Sequence, residues 1–257
     1  MHSYDLSGFL SGHIFAFMLL LCRLGAVMML FPGIGETYVS PRIRMAFASF
    51  LCLLLLGPML PRLPPLPAAP AEMAQLLVYE LVVGLFFGTL IRLLMSTLEA
   101  TGMLIGMTTG LSSATMMNPA LATQSTLPSA FLSTAGLTLI FISGVDHFLI
   151  RSAIALYDVF PAGGPFMAGD MAQTVIHVAS QSFTVGIELA APFLIMSLMF
   201  FAALGLLQRL MPMIQLFMLS MPAQLWGGLV MLSLTFVGIL TLWLQYVDQS
   251  VGSFFQG

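Results

Sequence analysis

Long apolar runs that contain almost no charged side chain recur along this chain and restrict its fold most strongly. The first covers residues 14–31 and is interrupted only by Arg23, and an uncharged run follows over residues 45–61. A helix needs roughly 20 predominantly apolar residues to cross the hydrocarbon core of a membrane. These runs therefore predict helices that span a membrane.

Composition supports the same interpretation. Hydrophobic residues make up 59% of the chain and charged residues 7%, against roughly 25% charged residues in soluble domains. Because this number of charges is too small to cover a water-exposed surface, most of the surface must face lipid or other subunits. The small net charge of −3 argues against a nucleic-acid partner. The predicted fold class is an all-α membrane protein.

The rest of the chain reads as further helices separated by proline and glycine breaks. Six prolines lie between Pro58 and Pro70, a density that forbids a helix and favours an extended polyproline spacer. Pro192 is expected to kink one long helix, and Pro222 is expected to interrupt the last one. The sequence predicts about six long, kinked helices. The later ones cover residues 71–98, 130–145, 171–210 and 214–246, with an amphipathic stretch at 144–160 and a further interruption at Gly227-Gly228.

Residues 101–125 differ from every neighbouring segment. They contain no charged residue and no long aliphatic run. Gly102, Gly106 and Gly110 recur every four residues, so on a helix they lie near one face and allow a second backbone to approach closely. Small, hydroxylated and methionine residues follow, and Asn118-Pro119 is expected to stop any helix. We expect this weakly polar segment to be the functional element.

Five charged residues lie inside the apolar runs. A charge there costs several kcal/mol unless it is paired or hydrated, so each one is a candidate functional residue. The favoured interpretation is that they pair with one another or with backbone groups where helices meet. A proton or ion path is the alternative, although no two carboxylates converge by spacing. The five are Arg23, Glu80, Arg92, Glu99 and Glu188.

No residue pattern indicates catalysis or metal binding. His147 beside Asp146 fits a proton relay, but an amphipathic helix at a membrane boundary explains the pair equally well. Cys22 and Cys52 sit in apolar runs and are expected to be small buried hydrophobic residues. His, Cys and Glu show no metal-ligand spacing. No catalytic residue, metal or cofactor is therefore predicted, and the chain is not expected to be an enzyme.

Five segments together resemble a known family, the FliR family of flagellar type III export-gate proteins and their injectisome counterparts. The resemblance covers nearly the whole chain and depends on the order and spacing of the segments. They are RLGAVMMLFPGIGETYVSPRIRMAFA, LEATGMLIGMTTGLSSATMMNP, GVDHFLIRSAIALYDVFPAG, ALGLLQRLMPMIQLFMLSMPAQ and the closing apolar helix.

The resemblance implies a gate subunit through which unfolded flagellar subunits leave the cytoplasm. One copy is expected to assemble with several copies of FliP and FliQ, beside FlhA and FlhB, into a helical multi-subunit gate. The expected location is the bacterial inner membrane within the flagellar basal body, with lipid contacts and with parts raised toward the periplasm. Residues 1–170 would form a part built like a P subunit (FliP), and it would include a plug loop at 106–125. Residues 171–257 would form a helical hairpin built like a Q subunit (FliQ), which would turn at 208–212.

The resemblance also assigns roles to residues, each with a simpler alternative. Ordinary helix packing would explain the glycines of the plug, and helix punctuation would explain the residues assigned to the hairpin tip near the cytoplasmic entrance. Met116-Met117 suits a soft, adaptable seal because unbranched thioether side chains deform easily. The expected hairpin-tip residues are Arg209, Pro212 and Pro222. The expected pore-plug residues are Gly106, Gly110, Leu111, Ser112, Ser113, Ala114, Thr115, Met116, Met117, Asn118 and Pro119.

Three other functions are weighed beside a flagellar gate subunit. An injectisome gate subunit is the nearest alternative. A small secondary transporter would show matching interrupted helices in two halves of the chain, and no internal repeat of the glycine-rich break is present. A purely structural subunit of the same assembly would differ from a plug-bearing one in a single respect, because changes in its loop would alter assembly and not leakage.

Overall fold

The computed structural model describes residues 6–112, 126–210 and 216–254. Over these residues the chain is helical and contains no strand. A single 3₁₀ turn, Leu60–Arg62, follows the second helix. The helices are α1 (Leu6–Leu30), α2 (Pro41–Met59), α3 (Pro70–Thr108), α4 (Leu127–Ser143), α5 (Val145–Val159), α6 (Ala168–Leu210) and α7 (Leu216–Phe254).

The described helices confirm an all-α membrane protein. Five of them are long and apolar enough to cross a membrane, namely α1, α2 with its 3₁₀ turn, α3, α6 and α7. The pair α4 and α5 passes the same criterion together, although it is bent by 78°. Gly144 at the bend has a φ of +75°, a left-handed conformation that glycine adopts without a Cβ clash. Counting the bent pair as one span gives the six predicted segments.

Two compact units, each built from separate stretches of sequence, make up the chain. Unit 1 comprises Met1–Leu93, Gly144–Val178 and Ser253–Gly257, and unit 2 comprises Leu94–Ser143 and Ala179–Gly252. The predicted division at residue 170 separates a part that resembles a P subunit from one that resembles a Q subunit. It does not refer to these compact units, and it stays a prediction.

In unit 1, α1 packs closely against the first half of α3. A Cβ added at Gly84 would overlap the carbonyl oxygen of Arg23, and a Cβ at Gly88 would lie 2.9 Å from a methyl group of Leu30. Glycine at position 84 therefore lets the two helix backbones meet, and glycine at position 88 makes room for the side chain of Leu30.

In unit 2, the second half of α3 packs against α4 and α7. Trp243 of α7 is fully buried and donates its indole N–H to the carbonyl oxygen of Leu94 over 2.9 Å. Gly136 of α4 faces the rings and methyl groups of Trp243 and Leu98. The core of this unit is thus a junction of three helices around one tryptophan.

The proline-rich spacer is shorter than predicted. Pro58 lies inside the last turn of α2, and Pro70 begins α3. Proline at the first position of a helix costs little because its missing N–H would be unpaired there anyway. Pro58 removes a single hydrogen bond close to a helix end. The prolines between these two positions separate the helices as expected.

The predicted interruptions of the last helix are wrong. The helix α7 runs without a break through Pro222, Gly227 and Gly228. Gly228 packs against Thr109 within unit 2, so the absence of a Cβ serves helix packing there. The helix α6 continues through Pro192 and ends at Leu210, so the predicted break at 208–212 begins later. A kink at Pro192 stays a prediction.

Candidate functional site

The end of α3 in unit 2 is where the predicted plug segment begins. The N–H of Thr109 donates to the carbonyl oxygen of Ile105, and Gly110 then takes a left-handed φ of +76°. A left-handed residue just after the last turn is a common way for a helix to end. Ser112 closes the turn, because its backbone N–H and its hydroxyl both donate to the carbonyl oxygen of Gly106, over 3.1 and 2.7 Å.

The same turns of α3 hold the start of α4. Thr126 donates its hydroxyl to the carbonyl oxygen of Gly102 over 3.1 Å and accepts the N–H of Ser129 at 3.3 Å. The second bond is an N-cap, which satisfies a free N–H at the helix start. The hydroxyl of Ser129 in turn donates to the carbonyl oxygen of Glu99 over 2.9 Å. Two hydrogen bonds therefore join the start of α4 to α3, and a third caps α4 itself.

Two of the predicted glycines make this approach possible. A Cβ at Gly102 would overlap the backbone of Ser129, and a Cβ at Gly106 would lie 2.8 Å from the hydroxyl oxygen of Thr126. The prediction that these glycines admit a second backbone is confirmed for Gly102, whereas Gly106 makes room for the side chain of Thr126. Ser112 and Thr126, the described residues that flank positions 113–125, thus both contact the last two turns of α3.

A third helix, α7, holds the carbonyl end of α3. The side-chain amide of Gln224 donates to the carbonyl oxygen of Thr108 over 2.7 Å. That oxygen is one of the last carbonyl groups of α3, which have no partner inside the helix. Four residues further along α7, a Cβ at Gly228 would lie 2.5 and 2.6 Å from the side chain of Thr109. Gln224 thus caps α3, and Gly228 allows the close contact.

An apolar pocket in unit 2 adjoins this junction. Phe131 of α4 and Phe236 of α7 stack with their ring centroids 5.1 Å apart. Leu111, the first large residue after Gly110, lines the pocket beside them. The side chain that follows the end of α3 thus lines a pocket whose other walls come from α4 and α7.

The predicted site residues divide into three groups. Gly106 is buried and Gly110, Leu111 and Ser112 are half-buried in the junction described above. At the predicted hairpin tip, Arg209 is exposed in the last turn of α6 and Pro222 is exposed within α7. The remaining predicted residues, Ser113, Ala114, Thr115, Met116, Met117, Asn118, Pro119 and Pro212, lie outside the described residues.

Sequence reasoning missed three polar residues of the junction. Thr126 and Ser129 carry a recognisable signal, since a threonine three residues before a serine at a proline-marked helix start fits an N-cap. Gln224 carries a weaker one, because an amide in an apolar helix needs a partner but does not identify it. The partner, a carbonyl oxygen at the end of α3, depends on the packing of α7.

Unit 1 pairs two of the charged residues that lie in the apolar runs. Arg23 donates from Nε and Nη2 to the two carboxylate oxygens of Glu80, over 2.6 and 3.1 Å, and both side chains are fully buried. Arg23 also donates to the carbonyl oxygen of Phe160 over 2.8 Å and lies 3.8 Å above the ring of Tyr157. The favoured interpretation, in which buried charges pair where helices meet, is confirmed for these two residues.

The other charged residues are arranged differently. Arg92 pairs with Glu36 over 2.5 Å in unit 1, and both side chains are partly exposed. His147 is exposed and lies 3.0 Å from its neighbour Asp146, so a relay and a boundary helix both stay open. Among the described residues, no group of three or more His, Cys, Asp or Glu side chains could hold a metal ion.

Comparison with known proteins gives consistent matches. The pattern of the family described as "Bacterial export proteins, family 1" matches residues 14–250. The chain is 34% identical over 225 residues to the flagellar biosynthetic protein FliR of Caulobacter vibrioides, covering 88% of this chain and 90% of that protein. It is 28% identical over 217 residues to FliR of Aquifex aeolicus, covering 83% and 82%. It is 30% identical over 146 residues to the Yop proteins translocation protein T of Yersinia pestis, covering 56% of each.

Proposed function

The chain belongs to the bacterial export proteins, family 1, and from this membership we propose that it is a subunit of a flagellar type III protein export gate in the bacterial inner membrane. The observation that carries the proposal is the match to flagellar biosynthetic proteins over most of both chains. The match to the Yop translocation protein covers about half of each chain, which favours a flagellar over an injectisome apparatus. The protein is a structural export component and not an enzyme.

The exposed surface of unit 2 supports assembly with other membrane subunits. Large apolar side chains are exposed along α7, such as Leu234 and Val237, and along the second half of α6, such as Leu198 and Met199. Surfaces of this kind are stable only against lipid or other protein. In the proposed assembly one copy of this chain packs with several copies of FliP and FliQ, and FlhA and FlhB adjoin them.

The proposed plug is the segment that begins at the junction of α3, α4 and α7. The described residues on either side of it, Ser112 and Thr126, both donate hydrogen bonds to carbonyl oxygens in the last two turns of α3. The side chains of the segment are small, hydroxylated or thioether groups, with no charge. Such groups bind no passing chain strongly and deform easily, so they can seal a pore when closed and surround an unfolded polypeptide when open.

The experiment that tests the proposed function is deletion of the gene in the organism that encodes it. The deletion strain is expected to secrete no flagellar subunits and to lose swimming, and a plasmid copy is expected to restore both. Quantifying flagellin in the culture medium and in the cells measures the defect. A deletion strain that still secretes flagellar subunits contradicts the proposal. Loss of virulence-effector secretion in a strain that swims normally identifies the injectisome alternative instead.

A further inference from the structure

Glu188 has a different environment from the paired charges in the apolar helices. Glu80 is paired with Arg23 inside unit 1, and Glu36 is paired with Arg92. Glu188 is exposed, and no described residue forms an ion pair or a hydrogen bond with its carboxylate. It lies midway along α6, directly before the uncharged stretch 189–208. A carboxylate in such a helix requires a partner or water.

A long groove between α6 and α7 in unit 2 contains this carboxylate. The lining residues recur in each helix in the pattern i, i+3, i+4, i+7, so each set forms one face of its helix. From α6 they are Val185, Glu188, Leu189 and Pro192, and from α7 they are Thr235, Gly238, Ile239, Leu242, Gln245, Tyr246 and Gln249.

The register of the two helices places Glu188 near the middle of the groove. The hydroxyl groups of Ser182 and Tyr246 lie 3.1 Å apart. Residues 211–215 join the end of α6 to the start of α7, so the helices run antiparallel from this contact. The position six residues after Ser182 on α6 therefore faces the position about six residues before Tyr246 on α7. Glu188 lies opposite the stretch between Gly238 and Leu242.

The shape of the groove suits a helix rather than a compact headgroup. From Thr235 to Gln249 it extends about 21 Å along α7 at 1.5 Å per residue. Its walls around Glu188 are aliphatic, and Gly238 leaves room on the α7 side, where an added Cβ would meet nothing within 4 Å. A helix laid between two helices contacts both through faces with this spacing.

We propose that the groove binds a membrane-spanning helix of another subunit, and that this helix carries an arginine or lysine that pairs with Glu188. Charge complementarity selects the basic residue, because a neutral helix would leave the carboxylate desolvated without compensation. Arginine or lysine also forms charge-assisted hydrogen bonds to a carboxylate. The inference rests on the proposed function only in that the chain assembles with other membrane subunits, and it is independent of the plug.

A photo-crosslinking experiment in the complete assembly tests the inference. The photoreactive residue p-benzoylphenylalanine replaces Leu242, which lines the groove and is 57% exposed. The matched control places it at Leu234, which is 80% exposed on the same helix and does not line the groove. Cells that produce the full-length chain with its native partners are irradiated, and the adducts are identified by peptide mass spectrometry.

The expected result is an adduct from position 242 to a membrane helix that contains an arginine or lysine. The Glu188→Gln variant is expected to lower the yield of that adduct about tenfold, while Asp170→Asn, which removes an exposed carboxylate at the start of α6, leaves it unchanged. Exchanging the charges, with Glu188→Arg and glutamate in place of the partner's basic residue, is expected to restore the yield.

Three results overturn the inference while leaving the proposed function intact, provided that the assembly still forms. They are an adduct only to lipid, an adduct to a second copy of this chain, and an adduct to a helix without a basic residue. Equal adduct yields from the wild type and Glu188→Gln overturn the inference that Glu188 pairs with a basic residue of the bound helix. If the chain purifies without any other export component, the proposed function fails and the inference fails with it.

Discussion

Arg23 of α1 and Glu80 of α3 form a two-point ion pair in which neither side chain is exposed to solvent. The third donor group of Arg23 reaches the carbonyl oxygen of Phe160, just after α5. The hydroxyl of Tyr157 donates to the same carboxylate over 3.4 Å. One buried pair therefore joins three helices of unit 1. Because each charge has a partner within the cluster, the arrangement favours a structural role for the pair over a proton path.

The first prediction concerns this pair. Glu80→Ala leaves the guanidinium of Arg23 buried and unpaired, which typically costs about 3–5 kcal/mol. The variant is expected to melt at a clearly lower temperature in detergent and to accumulate poorly in membranes. The double variant Arg23→Met with Glu80→Leu removes both charges and is expected to recover most of the stability lost in Glu80→Ala. A double variant as unstable as Glu80→Ala would contradict the assigned role of the unpaired charge.

The second prediction compares two adjacent glycines of α7. Gly228→Ala places a methyl group within 2.6 Å of the side chain of Thr109, and overpacking of this kind costs about 1–3 kcal/mol. Gly227→Ala meets nothing within 4 Å and is expected to stabilise the helix by up to about 1 kcal/mol. Melting temperatures of the purified variants should move in opposite directions. Equal shifts would show that α7 does not pack on α3 through Gly228.

The third prediction concerns the cap that Gln224 places on α3. Gln224→Leu leaves the carbonyl oxygen of Thr108 without its hydrogen bond, at a cost of about 1–3 kcal/mol, and loosens the turn from which the proposed plug begins. Ion leakage through the assembled gate is expected to rise while assembly persists. The control is Gln181→Leu, the same change at an exposed residue of α6. Equal ion leakage in the two variants would contradict the proposal that the Gln224 cap supports the plug.

The fourth prediction concerns Met116 and Met117, which lie outside the described residues. Replacing both with glycine removes the deformable side chains proposed to fill the closed pore. Ion conductance across membranes that contain the assembled complex is expected to increase, with the complex recovered in normal amounts. Unchanged conductance in an assembled complex would favour the purely structural subunit over the plug-bearing one.

Helix number and membrane character could be predicted because they depend on local sequence alone. Uncharged runs of sufficient length specify spans regardless of what packs against them. The predicted breaks at Pro222 and Gly227 were wrong because proline and glycine only weaken a helix, and packing on neighbouring helices compensates. The same applies to Pro58, where the helix was near its end in any case.

The candidate site could be located from sequence but not assembled. The four-residue glycine spacing correctly indicated a close approach at Gly102 and Gly106, because that spacing acts through local helix geometry. The partners in that approach, Thr126 and Ser129, and the cap from Gln224 depend on how α4 and α7 pack in unit 2. The pairing of Arg23 with Glu80 was likewise open, since sequence indicates that a buried charge needs a partner but not which one.

The measurement that tests the central claim most directly is native mass spectrometry of this chain co-expressed with the FliP and FliQ proteins of the same organism. The complex would be extracted in detergent and weighed intact, with a tag on this chain alone. The account predicts one discrete complex that contains a single copy of this chain together with several copies of each of the other two. A stable monomer or homodimer that leaves both components behind would contradict it.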